Sequence, residues 1–311
     1  MPVDPSIAAI LDQVNAHPVP RVIDTDPEVL REVNRRMGAG VAPREPIEVG
    51  SVEDTAVPGP AGQIPVRVYR PEGGGPVPTV VFFHGGGWLT GDLDTHDDVT
   101  RRMCRDVHTV VVAVDYRLAP EHPFPAAYDD CLAAARHVAD HIDEYGGRRD
   151  RLAVAGDSAG GNLAAAVALT FRDEDRPLAA QLLVYPATDF AGDYPSRAEN
   201  ATGYVLGTRD VLDLQHLYAG DDPAVRNSFQ VSPLRAESFT GLAPAVIGTA
   251  QYDPLRDEGN AYAERLENAG VDVFARTYDG LIHTFLNLFP ISPAADAAVT
   301  ELYAQLKKRL D

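Results

Sequence analysis

The chain is predicted to be an α/β protein with a mostly parallel central sheet covered by helices on both faces. Three observations carry this. Apolar runs at Val77–Phe83, Thr109–Val114, Leu152–Ala155, Leu178–Val184, Ala243–Ile247 and Val271–Ala275 lack the alternation of a half-exposed strand. Helix-like segments at roughly 96–107, 124–144, 160–173 and 255–269 fall between them, which is the rhythm of βαβ units. The stretch Arg151–Leu163, R-L-A-V-A-G-D-S-A-G-G-N-L, passes from a buried run through a glycine-flanked serine into an alanine-rich helix.

Two amphipathic helices are expected before the sheet. Ile7, Ile10, Leu11 and Val14 recur at helical spacing behind a cap at Asp4 or Ser6. Asp26-Pro27-Glu28 starts a second helix, with proline in its first turn and acids facing the dipole. Val29, Leu30, Val33 and Met37 form its stripe and Gly38 is expected to end it. Both stripes need a surface to bury on. Alternation of Ile64, Val66 and Val68 with Gln63, Arg67 and Arg70 marks antiparallel edge strands between about 47 and 70, around a Gly/Pro turn near 58–62.

One interval breaks the βα rhythm. Roughly sixty residues separate the strand ending near Val184 from the one starting near Ala243, too many for a simple connection. It reads as an insertion with a helix at Arg209–Tyr218, pairing with the N-terminal helices as a cap. The domain reading is 1–45 as the N-terminal part of the cap, 46–188 with 236–311 as the α/β domain, and 189–235 as the insertion that completes the cap.

Composition narrows the function classes. A chain of 311 residues suffices for one large domain with an insertion. Its net charge of −19 argues against nucleic acid or an anionic membrane surface as partner. The N-terminus has no basic n-region, and nowhere do eighteen uncharged apolar residues run together, so a soluble, cytoplasmic protein is expected. Cys104 and Cys131 stand in no metal or redox spacing and read as buried free thiols. His137 and His141 are four apart on one helix; without a cysteine or an H-E-x-x-H pattern they read as solvent-facing rather than as metal ligands.

The chemistry centres on Ser158. Its flanking glycines allow a turn too tight for a Cβ, which lifts the hydroxyl over the sheet edge and above a helix N-terminus. Such a serine needs a base to take its proton and an acid to hold that base. Downstream of it lie His216, inside the insertion helix, and His283, after a predicted strand in G-L-I-H-T-F with Gly280 freeing the loop; His283 is preferred. Asp253 and Asp189 both follow apolar strands. Asp253 sits in the last strand–helix loop before His283 and is preferred, with a simple helix cap as its structural alternative and Asp189 as second choice. Asp157 points along the turn and is given a structural role. V-V-F-F-H-G-G-G-W at 80–88 puts three glycines straight after a buried strand, where backbone N–H groups, completed by that of Ala159, could hold an oxyanion. His84 is expected to fix this loop by hydrogen bonds, and Trp88 to wall the site or pack beneath the loop.

H-G-G-G-W at 84–88, D-Y-R-L-A-P-E-H-P-F-P-A-A at 115–127, G-D-S-A-G-G-N-L at 156–163, D-P-L-R-D-E at 253–258 and the His283 loop together resemble the hormone-sensitive-lipase-like carboxylesterases, specifically the bacterial branch whose elbow reads G-D-S-A-G. The resemblance spans about 80 to 290 and implies the α/β-hydrolase fold. It also implies Ser158 as nucleophile, His283 as base, Asp253 as its orienter, and an oxyanion hole at Gly86, Gly87 and Ala159, with Gly85 a further candidate. The Tyr116–Ala127 segment is then mainly structural, and Thr284, where a smaller residue is usual, would narrow the alcohol side. The implied activity is hydrolysis of short- to medium-chain carboxylic esters through an acyl-enzyme, needing no metal or cofactor. The implied partners are a small-molecule ester and a second copy bound through the last strand, near Val271–Tyr278. A peptidase or acyltransferase could use the same residues, though 311 residues leave no room for the propeller usual in peptidase relatives. Ligand-binding plant receptors of the family lack the histidine that stands here at 283.

Overall fold

Two helices come first, α1 (Pro5–Asn15) and α2 (Pro27–Val41), in a computed structural model that describes residues 1–16, 21–43 and 45–311. Of the segment expected to be helical before residue 46, positions 17–20 and 44 lie outside the described residues. Asp4 caps α1 by accepting from the N–H groups of Ser6 and Ile7, at 3.0 and 3.3 Å. Ile7 and Leu11 are buried as expected.

α2 departs from expectation. None of its residues is buried, and Val29, Val33 and Met37 are 52%, 39% and 45% exposed; of its apolar stripe only Leu30 packs on the core. The helix is held instead by its arginines. Arg31 donates to the carbonyls of Leu89 (3.0 Å) and Ala119 (3.3 Å) and pairs with Glu121 at 2.6 Å, while Arg35 meets Asp92 at 2.9 Å. Gly38 does not end the helix either, because its backbone stays out of the left-handed region and its carbonyl accepts from Ala42 N–H at 3.0 Å.

The sheet follows. β1 (Ser51–Gly59) and β2 (Gly62–Arg70) form the expected antiparallel hairpin. Then come β3 (Val77–Phe83), α3 (Asp97–Val107), β4 (Val110–Val114), α4 (Ala126–Asp140), β5 (Gly147–Asp157), α5 (Ala159–Asp173) and β6 (Ala180–Val184). The long interval holds α6 (Pro195–Glu199), α7 (Thr208–Ala219) and α8 (Pro223–Arg226). The chain closes with β7 (Ala245–Tyr252), α9 (Arg256–Asn268), β8 (Val273–Ile282) and α10 (Pro293–Leu310), the last a helix outside the expected set.

The eight strands form one sheet in the order β1-β2-β4-β3-β5-β6-β7-β8, antiparallel at β1–β2 and β2–β4 and parallel elsewhere. Alternate residues of β5 enter opposite apolar layers: Leu152 and Val154 pack with α4, α5 and α9, Ala153 and Ala155 with α1, α3 and α10. Burial on both faces is why these strands read as unbroken apolar runs. Cys104 and Cys131 are buried and free, one in each layer. His137 and His141 are half-buried rather than solvent-facing, their rings stacked at 4.2 Å.

β8 is longer than its apolar run. Gly280, expected in a loop, lies within the strand at φ 75°, where the β7–β8 register jumps from Ala250 opposite Tyr278 to Tyr252 opposite Ile282. This bulge lets the strand run on to Ile282 and deliver residue 283 at its carboxyl end.

Candidate active site

The carboxyl ends of β3, β5, β7 and β8 bring four segments together at one end of the sheet: the glycine loop, the serine turn, the Asp253 loop and His283. Ser158 occupies the single position between β5 and α5, at φ 54° and ψ −117°. A non-glycine residue there carries backbone strain of about 1–3 kcal/mol. The turn admits no substituent at Gly160, where a Cβ would strike the carbonyl oxygen of Phe83 at the end of β3. Ser158 N–H is held by Val184 O at 2.9 Å, and Asn162 Nδ2 ties the first turn of α5 to the carbonyls of Ala187 and Val231, both at 2.8 Å.

Ser158 Oγ lies 2.8 Å from His283 Nε2, and His283 Nδ1 lies 2.7 Å from Asp253 Oδ2. A carboxylate has no proton to give, so Nδ1 carries the proton and Nε2 is free to accept from the serine hydroxyl. Asp253 is fully buried and His283 only 4% exposed. The other carboxylate oxygen of Asp253, Oδ1, accepts from Leu255 N–H at 2.8 Å. The contact with His283 and the closing of the loop are thus divided between two oxygens, and α9 begins beyond, at Arg256, with no side-chain cap.

Asp189 is committed elsewhere: its carboxylate pairs with Arg235 at 2.6 Å and accepts from Tyr194 OH at 2.8 Å. His216 pairs with Asp221 at 2.8 Å. Neither belongs to the serine cluster.

The glycine loop sorts its three candidate donors. Gly85 N–H donates to Asp157 Oδ1 at 2.9 Å and is therefore occupied. Among the described residues the N–H groups of Gly86, Gly87 and Ala159 make no hydrogen bond. Gly86 (φ 123°) and Gly87 (φ 62°) sit in backbone regions that favour glycine, and a Cβ on Gly87 would meet Leu214 of α7 at 2.6 Å. The insertion therefore lies directly against the donor loop.

Behind the loop is a buried polar layer. His84 Nδ1 contacts Gly85 O at 2.8 Å, its ring stacks on Tyr116 at 4.3 Å, and Tyr116 OH donates to His84 O at 2.7 Å. Burial, helped by neighbouring His96, pushes the His84 imidazole down to about 4. Asp157 faces His96 Nε2 at 3.2 Å. Its burial would raise the carboxyl, but the His96 ring and the Gly85 N–H outweigh that and hold it below the usual range. Trp88 is 3% exposed; it stacks on Tyr218 of α7 at 4.6 Å and meets Phe190 edge-on at 5.1 Å, forming part of a packed aromatic wall.

Two neighbours escaped sequence reasoning. Tyr185, fully buried just after β6, lays its ring 4.5 Å from that of His283, and His96 stands behind Asp157. A lone tyrosine at a strand end and a lone histidine before a helix carry no spacing signal.

Comparison with known proteins places the chain among ester hydrolases of one fold family. A family described as the alpha/beta hydrolase fold matches residues 80–287. The carboxylic ester hydrolase LipN of Mycobacterium tuberculosis is 43% identical over 314 residues, covering 99% of this chain and 83% of the relative. Carboxylesterase NlhH of the same organism is 46% identical over 257 residues, 79% of each chain. The solved structure of a hyperthermophilic esterase from the archaeon Pyrobaculum calidifontis superimposes with a TM-score of 0.94 at 41% identity, covering 99% of each chain.

Proposed function

This chain belongs to the α/β-hydrolase fold family, in its hormone-sensitive-lipase-like branch, and is a carboxylic ester hydrolase; on that premise we propose that Ser158, His283 and Asp253 are its catalytic residues. The observation that carries the assignment is the continuous line from Ser158 Oγ through His283 to Asp253 Oδ2, at 2.8 and 2.7 Å. Ser158 Oγ attacks the ester carbonyl carbon while its proton passes to His283 Nε2. The carbonyl oxygen, now an oxyanion, is received by the N–H groups of Gly86, Gly87 and Ala159. Collapse of the tetrahedral adduct breaks the bond to the alcohol oxygen, which takes the proton from His283 and leaves. Water then repeats the sequence on the acyl-enzyme, releasing the acid and restoring Ser158. Asp253 holds the imidazole in its Nδ1–H tautomer and balances the charge it gains.

The acyl chains that fit are short to medium. Leu214 against Gly87 and the Trp88–Tyr218–Phe190 wall support an enclosed acyl side rather than one open to an oil surface. We read residues 1–45 and 189–235 as one cap over the 46–188 and 236–311 domain. The Arg21–Asp213 pair at 2.6 Å and the Asn15–Gly203 hydrogen bond at 3.2 Å, which join the two segments, support this. The outer edge of β8 is the surface we assign to a second copy of the chain. No helix among the described residues is long and apolar enough to cross a membrane. A cytoplasmic location fits the two buried free thiols, and cell fractionation that finds the activity outside the cytoplasm overturns it.

The test is Ser158→Ala assayed against a chain-length series of nitrophenyl esters, with an amide control. The parent hydrolyses butyrate and hexanoate esters in preference to long-chain esters and leaves the amide intact, and the variant, still folded by circular dichroism, loses at least about 10³-fold in kcat. Retained turnover in the variant moves the nucleophile elsewhere.

A further inference from the structure

The catalytic acid does not stand on β7 alone. We propose that Ser196 and Asn200, at the two ends of α6 in the insertion, are positioning residues that clamp the backbone of the Asp253 loop. The proposal rests on the assignment of Asp253 as the acid.

α6 is a single five-residue turn, yet both side chains turn inward: Ser196 is fully buried and Asn200 is 3% exposed. Each donates a side-chain hydrogen to the loop that carries Asp253. Asn200 Nδ2 donates to the carbonyl of Asp253 itself at 3.1 Å, with a longer contact to Gln251 O at 3.4 Å. Ser196 Oγ donates to Pro254 O at 2.9 Å and accepts from Asp257 N–H at 3.3 Å, while Ser196 N–H donates to Asp257 Oδ2 at 2.8 Å. Two carbonyls of the loop, those of Asp253 and Pro254, thus accept from side chains of the insertion, Asp253 O sharing its lone pairs with Arg256 N–H at 3.2 Å, while Gln251 O at the end of β7 has its nearer donor in Arg256 Nη1 at 3.1 Å.

A second, deeper contact seats α6. Arg197 pairs with Glu258 at 2.8 Å, and the other Glu258 oxygen accepts from the N–H groups of Thr188 and Asp189, at 2.8 and 3.3 Å. Glu258 is fully buried, so this pair fixes the start of the insertion against α9 before α6 reaches the acid loop.

The consequence is mechanical. Asp253 has one oxygen on its own loop, through Leu255 N–H, and one on His283. The position of Oδ2 under the imidazole is therefore set by where the 251–257 backbone lies, and that backbone is hydrogen-bonded to α6. The insertion then does more than cover the acyl side. It holds the acid against the base, and a small displacement of either is costly: about 1 Å of misplacement can cost 10²-fold in rate.

The test is the double variant Ser196→Ala/Asn200→Ala of the full chain, with each single variant, the conservative Ser196→Thr and Asn200→Gln, and Asp253→Asn measured beside it. A positioning role predicts that kcat falls about tenfold in the double variant while KM stays within about twofold, since substrate contacts are untouched. It also predicts that the downfield proton resonance of the His283 Nδ1–H hydrogen bond broadens or moves, and that Ser196→Thr restores part of the rate lost in Ser196→Ala. Should the double variant fail to fold, the folded single variants carry the same kcat-against-KM prediction. A parent-like kcat and resonance, beside an inactivated Asp253→Asn, overturn the clamp alone. So does a loss confined to KM or to acyl preference, which is what a plain lid contact would give. An active Asp253→Asn withdraws the acid assignment, and the clamp with it.

Discussion

At the scale of single residues, Asp253 shows how one carboxylate does two jobs. Its sequence position is equally that of an orienting acid and of a helix cap, and residue types cannot separate the two. In the structure Oδ1 closes the loop on Leu255 N–H without capping α9, and Oδ2 faces His283. Gly85 resolves in the same way. Three glycines in a row are interchangeable as letters, but the one whose N–H meets Asp157 is spent, and that depends on a carboxylate 72 positions away. His84 yields a prediction at this scale. Burial holds its folded-state value near 4 against 6.5 for the free side chain, so the unfolded chain takes up the proton first as pH falls. The stability His84 contributes is complete above about 6.5 and drains away toward 4, a loss of about 2 kcal/mol at pH 5. Thermal melts at pH 7 and pH 5 should show it, and His84→Asn, which keeps a donor for Gly85 O but cannot titrate, should flatten that dependence. An unchanged slope in the variant assigns the acid sensitivity to another group.

Among whole elements, each apolar run holds a strand and each expected helical segment a helix, with β3 running Val77–Phe83 as read, while β5 (Gly147–Asp157) and β7 (Ala245–Tyr252) extend past their apolar runs. The failures have physical causes. β8 outruns its apolar signal because Gly280 absorbs a bulge rather than ending the strand. α2 is amphipathic in letters, yet its arginines dock and its apolar stripe, Leu30 excepted, stays out. Two backbone carbonyls and Glu121 supply Arg31 with partners that no periodicity count can foresee. Arg31→Ala removes those bonds, of which the two to carbonyls are charge-assisted contacts worth about 1.5–3 kcal/mol each and the exposed Glu121 pair adds at most about 1 kcal/mol. If α2 is part of the cap, the ratio of KM for hexanoate to that for acetate esters rises while kcat on acetate stays near the parent value. A parent-like ratio in a folded variant detaches α2 from substrate selection.

Across the whole molecule, both chain ends pack on one face of the sheet. Ile7 and Leu11 of α1 lie in the same apolar layer as Leu302 and Leu306 of α10. Tyr252 OH donates to Met1 O at 2.6 Å and Asp4 N–H to Gly280 O at 2.9 Å, so the N-terminal residues lie against the β8 bulge that leads to His283. β8 itself ends the sheet with one edge unpaired among the described residues, a template for a second copy related by a two-fold axis. Light scattering on the purified protein should then give about twice the 33.5 kDa chain mass, and Ala275→Lys, which puts a charge on the exposed edge strand, should lower it toward that of the single chain. A parent at the single-chain mass overturns the assignment of that edge.

The amino-acid sequence by itself determined the fold class and the serine turn with its glycines, and it singled out His283 as the histidine we propose for the base. These depend on local order: buried parallel strands must be apolar throughout, the turn tolerates no Cβ, and one downstream histidine follows a strand while the other sits mid-helix. Only the tertiary structure decided which oxygen of Asp253 meets His283, which glycine N–H groups remain free, which face of α2 docks, and that α6 reaches the Asp253 loop. Each of those is a contact between segments far apart in the chain, and hydrogen-bond partners at that range leave no period or spacing to read.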